Sequence, residues 1–249
     1  MTDPTHADSS HPQPLFLTTR WSIVLSARDR ASSSSTLALE SLCQTYWYPL
    51  YVFVRRQGHG AHDAQDLTQA FFARLLEKDY LQSVEREKGR FRTFLIVAMK
   101  RFLLNEWDKL RTQKRGGNFL HLSLDTDLAE SRYLDESSET LPADQVYERR
   151  WALTLLDQSM ARLRTDYVGS GRKQEFEHLK SSLTAARGEV SYREIASALQ
   201  MTEGAARVAL HRLRKRFREI FREEIASTVS TSAEVDDEVR YVVGILSRD

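Results

Sequence analysis

The chain has 249 residues, of which 41% are hydrophobic and 29% charged, so it can bury one large core or two small ones and is not wholly disordered. The formal net charge is only +1, and any affinity for nucleic acid must come from a local separation of charge. The single cysteine, Cys43, excludes an internal disulfide and a multi-cysteine zinc site, and we predict that it is a small core residue. No apolar run is long enough to span a bilayer and no secretory signal is visible, so we expect no membrane insertion and a cytoplasmic location.

Helical periodicity recurs along the chain, while strand-like alternation is nearly absent. This pattern predicts an all-α protein with two small helical domains. We expect a disordered tail at residues 1–18, a first domain at 19–116, an acidic linker at 117–146, a second domain at 147–227 and a C-terminal extension at 228–249.

Charge is sorted along the sequence. Lys88–Arg115 has nine cations and two acids, Leu122–Glu148 has eight acids and one arginine, and Arg207–Arg222 has seven cations and one acid. Two basic blocks joined by an acidic segment indicate two modules that bind polyanions. Solvated helix faces flanking an acidic loop are an equally open interpretation.

The clearest motif lies between Val190 and Lys215. Ser191 and Glu194 form a capping box that can begin a short helix, and Thr202 can cap the next helix after a tight turn. On that second helix the apolar residues share one side, and these are Ala206, Ala209, Leu210, Leu213, Phe217, Ile220 and Phe221. The opposite side carries Arg207, Val208, His211, Arg214, Lys215 and Arg218. A braced helix with a basic outer face predicts a DNA-binding helix-turn-helix, and an ordinary helical hairpin is the alternative.

Two amphipathic segments precede this motif. Asp63–Glu77 has an apolar row and an acidic start, which favours a helix N-terminus. Gly89–Arg111 places apolar residues on one side, with Phe94 and Phe102 expected in the core. Its other side is basic and carries an amide, with Trp107 at the boundary, which suits opened or single-stranded DNA.

In order and spacing, Asp63–Glu77, Gly89–Arg115 and Val190–Arg218 resemble an RNA polymerase sigma factor of the extracytoplasmic-function type, in the sigma-70 superfamily. The resemblance covers roughly residues 35–115 and 147–227. It implies a region 2-like domain that binds core RNA polymerase and the −10 element, and a region 4-like helix-turn-helix domain that reads the −35 element. The implied function is promoter recognition and transcription initiation, without catalysis, and the implied partners are core polymerase and promoter DNA. An anti-sigma factor or another regulator is a further candidate partner.

The resemblance also assigns roles to individual residues. Polymerase binding is assigned to Asp63, Asp66, Gln69, Phe72 and Arg74. Contact with the −10 element is assigned to Lys100, Arg101, Asn105, Trp107, Arg111 and Arg115. Contact with the −35 element is assigned to Glu203, Arg207, Val208, His211, Arg212, Arg214 and Lys215.

The chain departs from the family pattern in three places. The turn carries Gln200 where the family has glycine, so left-handed backbone geometry there would be unfavourable. Ala209 replaces a basic residue, which removes one expected −35 contact. The extension beyond Ser227 includes Val235, Val239, Val242 and Leu246, which could form a helix that docks internally or on a regulator.

Two other classes of protein compete with the sigma factor. A stand-alone helix-turn-helix regulator that never engages polymerase would explain Val190–Arg218 and leave Asp63–Arg115 without a role. A metal-dependent hydrolase could use His59, His62 and Asp63, but no further ligands follow at a supporting spacing. Because the sequence also lacks a phosphate-binding loop and a nucleophile elbow, we expect no enzymatic activity, no cofactor and no metal site.

Overall fold

The computed structural model describes residues 33–75, 90–110, 126–136, 141–185, 188–229 and 231–247, and the regular structure within these ranges is entirely helical. This confirms the all-α prediction for the part of the chain described. The α-helices of these ranges are α1 (Ser33–Arg56), α2 (Ala61–Leu75), α3 (Phe91–Leu110), α4 (Thr126–Glu136), α5 (Ala143–Gly169), α6 (Lys173–Leu179), α7 (Tyr192–Ala198), α8 (Glu203–Ala226) and α9 (Val235–Leu246). Short 3-10 turns, Lys180–Ser182 and Ser232–Glu234, follow α6 and precede α9.

The first core is rich in aromatic residues and lies among α1, α2, α3 and the first half of α5. Tyr46 packs edge-on against Phe91 with ring centroids 5.4 Å apart, and Phe71 packs edge-on against Phe102 at 5.7 Å. Such contacts are favourable because the positive edge of one ring meets the negative face of the other. Cys43 is buried in the same core, as predicted.

The second core joins the last half of α5 to α6, α7 and most of α8. The helices α5 and α8 continue from one core into the other, with Trp151 of α5 and Ile225 of α8 in the first core, and Leu163 and Leu210 in the second. At about 1.5 Å per residue, α5 extends for roughly 40 Å. The two cores therefore share two continuous helices, and an ion pair between Arg216 of α8 and Asp166 of α5 (2.6 Å) joins these helices beside the second core.

The acidic segment contains a helix that the sequence pattern does not predict. Among the described side chains of α4, Ala129 is buried and Leu134 is 60% exposed, so this part of the helix shows little apolar periodicity that could predict it. It is held instead by Glu130, which accepts hydrogen bonds from both Tyr51 and Arg55 of α1 (Arg55 Nη2 to Oε1, 2.7 Å). The Arg55 guanidinium also lies 4.6 Å from the ring centroid of Tyr133. Because this attachment is electrostatic and aromatic, hydrophobic periodicity does not report it.

We expect Glu130→Gln to lower the free energy of unfolding by about 1–3 kcal/mol, because hydrogen bonds to a charged group in a partly buried position are among the stronger ones. Urea unfolding followed by circular dichroism would measure the loss. Asp157→Asn is the matched control, since Asp157 also pairs with α4 but is 67% exposed and 3.5 Å from Arg132. A loss no larger for Glu130→Gln than for the control would contradict the structural role of Glu130.

The C-terminal extension forms α9, which docks within the chain. Val235 and Val242 are buried, and Val239 and Leu246 pack partly buried against the first core. The predicted helix is thereby confirmed. The sequence left open whether it docks within the chain or on a regulator, and the structure shows that it docks within the chain, on α5 and α8. Glu238 lies on the same buried face, with no exposed surface.

Candidate nucleic-acid interface

The helix-turn-helix is built from the local signals that the sequence contains. Ser191 caps α7 by accepting a hydrogen bond from the Glu194 backbone N–H (3.4 Å), and Thr202 caps α8 by accepting one from the Ala205 N–H (3.2 Å). Between the two helices Gln200 has a φ of 53°. The structure thus confirms both caps, and it places Gln200 in the left-handed region even though that geometry is unfavourable for a residue with a Cβ atom.

Because a side chain with a Cβ atom is strained in the left-handed region, we expect Gln200→Gly to stabilise the protein by about 0.5–1 kcal/mol. The greater freedom of glycine in the unfolded chain offsets part of the gain. Urea denaturation would measure the difference, and Gln200→Ala, which keeps the Cβ atom, is the control. A glycine variant no more stable than the alanine variant would show that the turn carries no strain.

The two faces of α8 are divided as predicted. The inner face is buried and consists of Ala206, Ala209, Leu210, Leu213, Ile220 and Phe221, with Phe217 half-buried. The outer face of its first half is exposed and carries Glu203, Arg207, Val208, His211, Arg212 and Lys215. Six of the seven residues assigned to the −35 element are therefore on the solvent side, where a major groove could reach them.

Arg214 is a correction to that set. It is half-buried, and its guanidinium Nη2 donates to the backbone carbonyls of Ser182 (2.7 Å) and Ala185 (2.9 Å). Because the guanidinium satisfies carbonyls in the segment after α6, its role is to fix that segment to α8. Helical spacing alone places Arg214 on the basic face. That spacing contains no information about hydrogen bonds to a segment far away in the sequence.

Tyr192 and Arg172 also lie near this face, and the sequence analysis did not assign either of them to it. The Arg207 guanidinium lies 4.6 Å from the ring centroid of Tyr192, so the first helix of the motif contacts a basic side chain of the second. A groove of about 420 Å³ lies between α6 and the start of α8, with Arg172 and Arg212 among its lining residues and Val208 beside them. Tyr192 is half-buried at the start of α7, and its spacing from Arg207 across the turn is a sequence signal that could have indicated the first contact.

The basic face of α3 is exposed where the structure describes it. Lys100, Arg101 and Asn105 are all exposed, and they share the helix with two exposed apolar residues, Val97 (41%) and Leu104 (70%). Lys100 is paired with Asp144 at the start of α5 (2.7 Å). Phe102 is buried and Phe94 packs partly buried against the core, as expected. The side chain of Trp107 and the residues Arg111 and Arg115 lie outside the described part of the chain.

The residues of α2 that the resemblance assigns to polymerase binding differ in their exposure. Asp63 and Asp66 are exposed, and Gln69 and Arg74 are half-buried. Asp66 pairs with His62 one turn earlier (3.1 Å). Phe72 is a correction, because it has no exposed surface and packs 5.7 Å from Phe71 in the first core. Helical spacing puts Phe72 beside the apolar row of α2. In the structure the buried face of α2 is wider than that row and includes Phe72.

Within the described ranges no group of three or more histidine, cysteine, aspartate or glutamate side chains could hold a metal ion, and this includes the surroundings of His59, His62 and Asp63. None of the helices described has both the length and the apolar character required to cross a membrane. Comparison of the chain with known protein families, with curated proteins and with solved structures finds no match in any of the three.

Proposed function

We propose that this protein is a sigma factor of the extracytoplasmic-function type, which binds bacterial core RNA polymerase and directs it to promoters. The observation that carries the proposal is the exposed basic face on the first half of α8, held in a capped helix-turn-helix. A second basic helix, α3, lies on the other core with Lys100, Arg101 and the Asn105 amide side chain exposed. One helix-turn-helix alone gives no role to the second basic face.

In this proposal α8 reads the −35 element in the major groove. Arg207 and Arg212 have the fork geometry that binds guanine edges, and His211 supplies a further polar contact. Val208 is 49% exposed, and an apolar side chain there suits the methyl group of thymine. The −10 element is assigned to α3, where Arg101 and Asn105 could contact a strand whose bases are unstacked.

The polymerase contact is assigned to α2. Asp63 and Asp66 are exposed and Gln69 is half-buried, whereas the burial of Phe72 leaves it no surface for the contact. A charged, exposed edge of this kind contributes to the specificity and rate of association more than to stability.

One observation favours a second candidate, a stand-alone helix-turn-helix regulator. The cores share α5 and α8, so the helix-turn-helix is already held on the first core without any polymerase. Such a protein would bind its DNA sites with full affinity by itself.

Promoter footprinting and permanganate reactivity distinguish the two candidates when measured with the protein alone, core polymerase alone, and both together. A sigma factor should give specific protection and strand opening only in the mixture, because each basic helix alone makes few phosphate contacts. Tight specific footprints from the isolated protein, unchanged by core polymerase, would favour the stand-alone regulator and overturn the sigma proposal.

A further inference from the structure

A buried ion pair joins α9 to the beginning of the basic helix α3. The Glu238 carboxylate has no exposed surface and accepts a hydrogen bond from the guanidinium of Arg92, which is 3% exposed. Arg90 adds a second cation, with its Nε 2.8 Å from the other Glu238 oxygen. Because a buried charge is costly unless it is paired, the attachment of α9 depends on these two arginines.

Aromatic rings enclose the same cations. The Arg92 guanidinium lies 4.6 Å from the ring centroid of Trp151 in α5 and 4.5 Å from that of Tyr241 in α9. Tyr241 donates its hydroxyl to Glu148 of α5 (2.6 Å). Burial, reinforced by the neighbouring Arg90, lowers the pKa of Arg92. Thus α9 supplies a carboxylate and a ring to a site whose other walls are α3 and α5.

These arginines belong to the basic block that the sequence associates with polyanions. In the described part of that block, Arg90 and Arg92 pair with Glu238, and Lys100 pairs with Asp144. Carboxylates of the chain itself therefore neutralise cations that phosphates could otherwise bind. The helix α9 also pairs with α8 through Asp236 and Arg222, directly after the helix-turn-helix.

We propose that α9 is an internal clasp, which withholds Arg90 and Arg92 from nucleic acid and fastens α8 to the first core until it is released. Release would expose both arginines and remove the packing of α9 on α5 and α8. The competition with nucleic acid rests on the proposed function, whereas the fastening of α8 does not.

Glu238→Gln tests the clasp, and Asp237→Asn is its matched control. Both variants lose one negative charge from the same helix, so any general electrostatic gain in DNA affinity is common to them. Asp237 differs in being 65% exposed and paired with Arg240 on α9 itself. A difference between the two variants therefore reports the buried contact alone.

Two measurements on the full chain, without polymerase, give independent readouts. Amide hydrogen exchange should be at least tenfold faster in residues 235–246 of Glu238→Gln than in the control. A fluorescent DNA duplex should bind Glu238→Gln at least threefold more tightly than the control. Its log affinity should also fall more steeply with log salt, by about 1.8 for two added phosphate contacts at about 0.9 each.

Equal hydrogen exchange in the two variants would overturn the clasp. Faster exchange without tighter DNA binding would overturn the withholding of Arg90 and Arg92. If Glu238→Gln does not fold, Tyr241→Phe removes only the hydroxyl that bonds Glu148, and the same two criteria apply to it against the unaltered chain. Failure here is distinct from failure of the sigma proposal, which is decided by whether core polymerase is needed at a promoter.

Discussion

Phe72→Ala should lower the free energy of unfolding by about 3–5 kcal/mol, the usual cost of removing a fully buried ring from a packed core. The ring packs against Phe71, which in turn packs against Phe102, so the cavity would lie at the centre of the first core. Thermal or urea unfolding, followed by circular dichroism, would measure the change.

Asp66→Arg on the same helix separates binding from folding. Asp66 is exposed and pairs with the exposed His62, so its replacement should alter stability by no more than about 0.5 kcal/mol. If α2 contacts core polymerase, the reversed charge should weaken that complex while the helical content is unchanged. A stable Phe72→Ala protein would contradict the burial, and a folded Asp66→Arg protein with normal polymerase affinity would contradict the assigned contact.

The parts of the molecule that the sequence predicts correctly are those determined by neighbouring residues. The caps at Ser191 and Thr202 each depend on a few adjacent positions. The division of α8 into a buried and an exposed face follows from helical periodicity over a long element. These features need no knowledge of distant contacts.

The features that the sequence missed depend on residues far apart in the chain. Glu130 lies 75 residues from Arg55, and Arg214 lies 29 residues from Ala185. The buried carboxylate of α9 did leave a signal, because Glu238 lies three residues after Val235 and four before Val242, inside an apolar stripe. An acid in such a stripe indicates that a cation is buried beside it. The sequence does not show which cation this is, because Arg92 lies 146 residues away in the chain.

The second large effect is a loss of promoter recognition, which we expect at the −35 and −10 elements in the complex with core polymerase. Replacing Arg207 and His211 with alanine should weaken −35 recognition by about 1–3 kcal/mol for each good base contact. Both side chains are exposed on the outer face of α8, so their loss should leave the fold intact. Arg164→Ala is the control, because Arg164 is an exposed arginine on α5 that pairs with Glu177 (3.3 Å).

Replacing Lys100 and Asn105 should instead impair strand opening near −10 and leave −35 protection unchanged. The two pairs of residues lie on helices of different cores, so their effects on free energy should add within about 0.5 kcal/mol when both are measured on one promoter. The shared helices α5 and α8 already hold both contacts at a set separation, which raises the effective concentration of the second contact. The proposal assigns strand opening to the complex with core polymerase, so both effects are measured there. Permanganate reactivity and footprinting on one promoter fragment would measure both steps. Equal loss of opening and of −35 protection from either pair would contradict the assignment of separate elements to α3 and α8.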